Sequence, residues 1–342
     1  MAFVLVIQVA IKMQCNGLLA QTQVFHHRLS TIKMVAQQLG ASWNHARPRD
    51  RRRCSSIQAH DAKLNRAFFC LPSFCHQNFM PIETSTAIRP VSQSAFGAAA
   101  YEVVGHAFTI HKRLGRIFDE SVYRTTLAHT LAPRAVEEVC VRLTHSGFEK
   151  PYFIDLVVDS GCPFELKVVS QLHAGHRRQL IQYLMLTDLH HGKLINFGGE
   201  KVEHEFVNCH ETTEHRRAFQ LDLSRWSTPA AGVLEFQEIV LNLLRDWGTG
   251  LDRGLYIEAI THFLGGPQVV RQPVETLWNG IVVGWQNTNM AARDAAFKIS
   301  CLRTEVDSYE KHLYRFLVNT TLEKVLWVNV ASGSVTFVLL SK

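Results

Sequence analysis

Residues 152–169, with the sequence YFIDLVVDSGCPFELKVV, decide the fold class of this chain. Two apolar runs flank residues 160–162 (SGC), whose small side chains suit a hairpin turn, so the pattern predicts two neighbouring strands. Because side chains alternate between the faces of a strand, Glu165 and Lys167 share one face of the second strand. Asp155 lies on one face of the first strand in the same way. The stretch therefore predicts a sheet that carries two carboxylates and an ammonium among apolar residues.

The segments around this stretch add helices and strands in an order typical of an α/β domain with a mixed sheet. Residues 98–115 carry apolar side chains at helical spacing and end at Gly115, a residue type that commonly stops helices. Further helices are predicted at residues 120–131 and 173–192, and further strands at residues 136–145, 193–199 and 204–208.

Asp155, Glu165 and Lys167 stand inside otherwise apolar strands, where burying a charge is costly unless it has a partner. A hard cation held by the two carboxylates is one such partner, and Mg²⁺ binds through one or two carboxylates together with water and phosphate oxygens. Lys167 would then orient or deprotonate an attacking water and stabilise the charge of the phosphorane. An ordinary cross-strand ion pair is the alternative, because the spacing D-x(9)-E-x-K is loose.

Four stretches occur in the order and spacing of the GxxExxY family, namely AFTIHKRLGRIFDESVY, the D…ELK strand pair, HRRQLIQYL and KLINFGG. The chain resembles that family over about a third of its length, and the members of the family resemble PD-(D/E)XK nucleases with an αβββαβ core. The resemblance implies that Asp155, Glu165 and Lys167 are the signature residues of a site that uses Mg²⁺ or Mn²⁺. It also implies Glu120 as a further catalytic carboxylate and metal ligand, and Gln179 as a catalytic residue.

Three further residues are predicted to contact the substrate: Tyr123, His176 and Tyr183. The last two share one helix face with Gln179, and a polar helix flank with a partly packed tyrosine is the alternative. The glycine that names the family corresponds here to Ile117, which reduces backbone freedom at that turn. The glutamate and tyrosine of the motif are kept, so we expect an altered loop rather than lost chemistry.

A shift of 133 residues brings two blocks of the chain into register with two later blocks. Residues 115–129 meet residues 248–262, and residues 179–197 meet residues 312–330, with shared glycine, tyrosine, leucine and asparagine positions. These matches predict that the αβββαβ core is duplicated in tandem.

The second copy lacks the acidic residues of the first. Arg253 stands in the place of Glu120, Ala296-Phe297-Lys298 is aligned with Glu165-Leu166-Lys167, and His312 replaces Gln179. No Asp or Glu occurs between positions 276 and 293 to replace Asp155. The second copy is therefore predicted to hold no catalytic metal and to be inactive.

Composition, 46% hydrophobic and 19% charged, is that of a soluble globular protein with room for two domains. The predicted organisation is a basic and largely disordered extension, a nuclease-like domain, a linker and a degenerate second copy, at residues 1–92, 93–212, 213–229 and 230–342. A natural start at Met80 is the alternative for the extension. The apolar opening lacks the flanks of a signal peptide, and the eight cysteines are scattered, so we expect a reducing, cytoplasmic location.

Charge is concentrated at the beginning of the chain. Residues 1–92 hold 11 Lys and Arg against 3 Asp and Glu, which leaves the remainder close to neutral. The favoured hypothesis is a metal-dependent phosphodiesterase that acts on nucleic acid, whether DNA or RNA, without a membrane partner. A non-catalytic module that binds nucleic acid or protein is the rival, and the near-neutral body favours it slightly. The second copy could support a homo-oligomer or a protein partner.

Overall fold

Helices pack on both faces of two mixed β-sheets in the structure, a computed structural model that describes residues 82–227 and 231–342. Each sheet has six strands, and both sheets belong to one compact unit. The predicted α/β class with a mixed sheet is confirmed. Among the described residues, no helix has the length and apolar character that a membrane crossing requires.

The first sheet and its helices come from the following elements, given in chain order: β1 (Ile82–Thr84), α1 (Gln93–Leu114), α2 (Glu120–Thr130), β2 (Ala135–His145), β3 (Phe148–Val158), β4 (Cys162–Lys167), α3 (Ala174–Thr187), β5 (His191–Asn196) and β6 (Glu203–Asn208). The strands lie side by side in sequence order. Only β4 and β5 run parallel, because α3 connects them as a crossover; the other neighbours are antiparallel.

The second sheet and its helices follow, again in chain order: α4 (Thr213–Arg217), β7 (Gln220–Arg225), α5 (Ala231–Trp247), α6 (Arg253–Phe263), α7 (Pro267–Val270), β8 (Arg271–Trp278), β9 (Ile281–Ala292), β10 (Ala295–Ser300), α8 (Val306–Val318), β11 (Lys324–Ala331) and β12 (Ser334–Ser341). From β8 to β12 the strands again lie side by side in sequence order, and β10 and β11 are the parallel pair. The five strands β8 to β12 thus repeat the order and directions of β2 to β6.

Corresponding elements of the two sheets begin the same number of residues apart. Glu120 and Arg253 begin α2 and α6, and Cys162 and Ala295 begin β4 and β10, so both pairs agree with the shift of 133 residues. Two buried hydrogen-bond patterns also repeat at this shift, as the next paragraph describes.

The Tyr123 hydroxyl donates to the carbonyl of Gly115, and the Tyr256 hydroxyl donates to that of Gly248, both at 2.7 Å. Each tyrosine thereby holds the turn that precedes its own helix.

An asparagine on the strand after the crossover makes the second repeated pattern. Asn196 accepts from the backbone N–H of Val169 and donates to its carbonyl, at 3.0 and 2.9 Å. Asn329 does the same to Leu302, at 2.8 and 3.0 Å. In each sheet the side chain fixes the chain as it leaves the central strand.

Three hydrophobic clusters fill the interior. One lies between α1, α2 and the first sheet, and another between α8 and the second sheet. The largest joins α3 with α5, α6 and one face of the second sheet, with Tyr183, Phe236 and Phe337 among its members. Because the two sheets share this core, the regions predicted as separate domains fold against each other.

Two predicted boundaries differ from the structure. Residues 82–92 were included in the extension, yet Ile82–Thr84 pair with β2 and cover its edge. The predicted linker 213–229 contains α4 and also β7, which pairs with β12. Neither strand was visible in the sequence, because a short edge strand gains its order from the sheet it joins. The remainder of the predicted extension, residues 1–81, and the proposed start at Met80 lie outside the described residues.

Candidate active site

Asp155 and Glu165 lie where β3 and β4 separate. The antiparallel register of these strands ends with Leu156 opposite Phe164, so the two acidic residues occupy the next positions. There the Asp155 carboxylate accepts a hydrogen bond from the backbone N–H of Leu166, at 2.8 Å. The side chain takes the place of a missing strand partner, which fixes its carboxylate beside Glu165.

The Lys167 ammonium joins three carboxylates. It lies 2.6 Å from Oε1 of Glu165, 3.6 Å from Oε2 of Glu120 and 3.9 Å from Oδ2 of Asp155. The same ammonium donates to the carbonyl of Leu166 at 2.8 Å. The structure therefore brings together four of the residues singled out from the sequence, from two strands and the start of α2.

Burial shapes the electrostatics of this cluster, since Glu165 is 1% exposed and Asp155 is 9% exposed. Burial, with a contribution from the Asp155 charge, raises the pKa of Glu165 to about 8, although Lys167 opposes the shift. Burial also raises the pKa values of Asp155 and Glu120. Near neutral pH, Glu165 therefore holds a proton unless a further cation approaches.

Lys167 responds in the opposite sense. Burial alone would lower the pKa of its ammonium, but the neighbouring carboxylates, Glu165 first among them, raise it above the ordinary value. Lys167 thus keeps its proton, which favours stabilisation of negative charge over the removal of a proton from water.

One carboxylate oxygen in the cluster has no donor. Oε2 of Glu165 is buried and has no hydrogen-bond partner among the described residues. A buried acceptor without a partner is costly, and a hard cation would satisfy it. This oxygen, Asp155 and the half-buried Glu120 form a donor set that fits Mg²⁺ or Mn²⁺.

The donor set is not a preformed metal cage. Over residues 82–227 and 231–342, no group of three or more His, Cys, Asp or Glu side chains is close enough to hold a metal ion as it stands. The Lys167 ammonium lies between the carboxylates instead. Mg²⁺ uses few protein ligands and keeps several waters, so it does not require such a cage.

Arg124 belongs to the site, although the sequence analysis missed it. Its guanidinium lies 3.7 Å from Oδ1 of Asp155, 3.6 Å from Glu137 and 2.7 Å from Glu138, and only 14% of its side chain is exposed. The available signal was its spacing, because it follows Glu120 by four residues and so shares its helix face.

Glu138 carries backbone strain beside the cluster. Its φ of 51° is left-handed, which is unfavourable for a residue with a side chain, and it interrupts β2 opposite Asp155. The distortion directs its carboxylate to Arg124. The arginine is thereby held against Asp155 from the far side.

The residues predicted on α3 lie beside the carboxylates. The Gln179 amide donates to the Tyr183 hydroxyl at 3.0 Å. Burial raises the pKa of Tyr183 to about 12, and the charges of Glu165 and Asp155 add to this rise. Burial and nearby positive charge, including that of Lys167, lower the pKa of His176. The helix face therefore borders the site, with Gln179 exposed at its rim.

Tyr123 does not reach the site as a substrate contact. It is fully buried, its ring stacks on Phe197 with centroids 4.4 Å apart, and its hydroxyl donates to Gly115. The family motif placed it correctly in α2, but its helix position points into the core. Its structural role is to hold the turn before Glu120.

The equivalent site of the second sheet has a different composition. Strand register pairs Phe164 with β5 as it pairs Phe297 with β11, so Lys298 occupies the position of Glu165. Ser300, rather than Lys298, then occupies the position of Lys167. The predicted alignment of Ala296-Phe297-Lys298 with the Glu-Leu-Lys motif was wrong by two residues, because it matched lysine to lysine instead of strand to strand.

The other equivalents follow from the same shift. Thr288 occupies the position of Asp155, and Arg253 occupies that of Glu120. Ser300 is buried, donates to Asn329 at 2.8 Å and accepts from Trp327 at 2.8 Å, so it is part of the packing. None of these positions in the second sheet carries a carboxylate.

Comparison with known proteins identifies the first region. Residues 98–208 match the family model described as PD-(D/E)XK nuclease superfamily, so the chain contains a domain of that superfamily. No curated protein and no solved structure matches the chain. The matched range contains Glu120, Asp155, Glu165 and Lys167, which meet at the edge where β3 and β4 separate.

Proposed function

We propose that residues 98–208 form a metal-dependent nuclease of the GxxExxY type that hydrolyses phosphodiester bonds of nucleic acid. The observation that carries the proposal is the buried cluster in which the Lys167 ammonium joins three carboxylates while Oε2 of Glu165 has no donor. Domains of the matched superfamily typically use divalent metal ions. A nucleic-acid substrate is what the superfamily name implies.

In this proposal Asp155, Glu165 and Glu120 hold Mg²⁺ or Mn²⁺. The bound ion would polarise the phosphodiester and lower the pKa of a bound water. Lys167 keeps its proton and stabilises the charge that develops on the phosphate oxygens. Glu165 must lose its proton for the ion to bind, so metal affinity rises with pH up to about 8.

Arg124 and the α3 residues have positioning roles in the proposal. Arg124 holds Asp155 through its charge and is itself held by Glu138. Gln179 fixes the hydroxyl of Tyr183 at the border of the site, where the two side chains would contact the substrate near the scissile phosphate. His176 is assigned to the same border.

We further propose that the second sheet is a degenerate and inactive copy of the first. The repeated strand order, the constant shift between elements and the two repeated hydrogen-bond patterns support a common origin. The absence of acidic side chains at the positions of Glu120, Asp155 and Glu165 supports inactivity.

A non-catalytic binding module is the second candidate. Arg124 and Lys167 together already neutralise most of the charge on the three carboxylates, which would let the cluster serve as a structural ion network. In that case the chain would bind nucleic acid, a protein or a second copy of itself without cutting.

A cleavage assay separates the two candidates. Purified protein would be incubated with single- and double-stranded DNA and RNA, with Mg²⁺, Mn²⁺ or EDTA, next to Lys167→Met. The proposal predicts metal-dependent cleavage that falls by about a thousandfold in the variant, because a charge-stabilising donor is lost. Lys311→Met on the exposed surface of α8 is the matched control and should cleave normally. Cleavage that persists in EDTA or in Lys167→Met would contradict the proposal.

A further inference from the structure

The second sheet reverses the charge of the candidate active site. The positions of three carboxylates are taken by Arg253, Thr288 and Lys298. The second site therefore presents two cationic side chains and a hydroxyl, all of which can donate hydrogen bonds. Loss of activity alone would explain neutral replacements, but it does not explain two new positive charges.

Lys298 has no anionic partner. Its ammonium lies 4.7 Å from the centroid of the Phe316 ring, and no carboxylate of the described residues is within ion-pair distance of it. Burial lowers the pKa of this lysine, and no neighbouring charge opposes the shift. A cation–π contact contributes about 1 kcal/mol at such a site, which leaves a partly buried ammonium incompletely compensated.

Thr288 provides an independent observation. It is 3% exposed, and its hydroxyl has no hydrogen-bond partner among the described residues. The register of β9 and β10 pairs Met290 with Ala296, so Thr288 and Lys298 occupy the next positions of that face. An unsatisfied hydroxyl thus stands beside an unpaired ammonium, at the equivalents of Asp155 and Glu165.

Arg253 completes the arrangement at the start of α6. It is exposed, and its charge lowers the pKa of the Tyr309 hydroxyl on α8 against the effect of burial. Tyr309 packs on Trp327 in the cluster that lies on the Lys298 face of the sheet. The guanidinium therefore acts on the same side of the second sheet as the ammonium.

We propose that Lys298, Thr288 and Arg253 form a phosphate-binding site that holds the backbone of the nucleic acid cut by the first sheet. Phosphate oxygens accept hydrogen bonds from all three groups, and two cations match the charge of a backbone segment. This inference rests on the proposed function for the identity of its ligand. The degenerate copy would supply the backbone affinity that the near-neutral body lacks elsewhere.

Binding without cleavage tests the inference. The affinity of the full chain for a short fluorescein-labelled oligonucleotide would be measured by anisotropy in EDTA over a range of salt concentrations. Lys298→Met keeps the aliphatic stem and removes the charge, and Lys311→Met on the same face region is the exposed control. We expect about a fivefold loss of affinity and a salt slope reduced by about one in Lys298→Met, with no change in the control.

Melting temperature separates binding from packing. Because Lys298 lacks an ion pair, Lys298→Met should melt no lower than the wild type, while its oligonucleotide affinity falls. Arg253→Gln, at an exposed position, should weaken binding in the same way without an effect on folding. Unchanged affinity in both variants would overturn the inference, and so would a loss of affinity that merely follows a loss of stability.

Two further arms identify the ligand and protect the test from failure of the proposed function. Inorganic phosphate should compete only weakly with the oligonucleotide, and equal affinity for phosphate alone would reject the backbone assignment. If no cleavage is found but oligonucleotide binding depends on Lys298, the phosphate site stands and the nuclease proposal fails. If cleavage is found but Lys298→Met binds normally, the phosphate site alone fails.

Discussion

The two sheets share one topology but differ in the charge they present at the same position. In the first sheet, Asp155 and Glu165 meet the Lys167 ammonium. In the second, Thr288 and Lys298 occupy the corresponding strand positions and no carboxylate accompanies them. The buried asparagine and tyrosine contacts are nevertheless the same in both. The comparison shows that the fold is maintained by residues outside the site, which leaves the site free to change its chemistry.

The largest expected effect is the loss of metal binding in the first sheet. Asp155→Asn keeps an acceptor for the Leu166 N–H but removes a charged ligand, so Mn²⁺ affinity should fall at least ~100-fold, since even outer partners cost 10–100-fold. Lys298→Met should leave Mn²⁺ affinity unchanged. Calorimetric titration measures both. An equal loss in the two variants would mean a composite site that spans both sheets.

The next effect concerns pH and belongs to the first sheet alone. Glu165 has a pKa of about 8 in the folded protein against 4.5 in the unfolded chain. The folded state therefore binds the proton more tightly, and its extra stability is present below pH 4.5 and lost as pH rises to about 8. Glu165→Gln should abolish this dependence and gain on the order of 3 kcal/mol at pH 8 in metal-free buffer.

Urea denaturation between pH 5 and pH 9 would measure the difference, in steps with EDTA present. The wild type and Glu165→Gln should be closest in stability at the acidic end of the series. Parallel curves for the two proteins would show that Glu165 is ionised in the folded protein at neutral pH.

A smaller effect tests whether the two sheets are built alike. Asn196→Ala and Asn329→Ala should each destabilise the protein by about 2 kcal/mol, because each leaves a buried backbone N–H and carbonyl without a partner. Asn208→Ala, at an exposed position, is the control and should change stability little. Free energies from urea unfolding give the comparison. A large loss at only one of the two asparagines would weaken the case for a common origin.

The smallest expected effect concerns the paired tyrosines. Tyr123→Phe and Tyr256→Phe each remove one hydroxyl that donates to a glycine carbonyl at 2.7 Å, at a cost of about 1 kcal/mol each. Neither change should alter the affinity for Mn²⁺. If Tyr123→Phe impaired nucleic-acid binding without a loss of stability, the residue would contact the substrate after all.

By itself, the sequence determined the α/β class, the superfamily-like strand pair and the identity of Asp155, Glu165, Lys167 and Glu120 as residues that belong together. It could do so because strand alternation and helical spacing are local rules, which act through neighbouring residues. The shift of 133 residues between the copies was likewise readable, since the glycine, tyrosine and asparagine contacts that require it recur in both sheets.

Only the tertiary structure decided which residues surround these groups. Arg124 reaches Asp155 because α2 packs beside β3, and Tyr123 is withdrawn into the core by the same packing. Strand register, which depends on pairing across the sheet, placed Lys298 at the position of Glu165 and corrected the alignment made from residue type. Burial and the charge of distant residues set the pKa of Glu165, and neither quantity exists until the chain has folded.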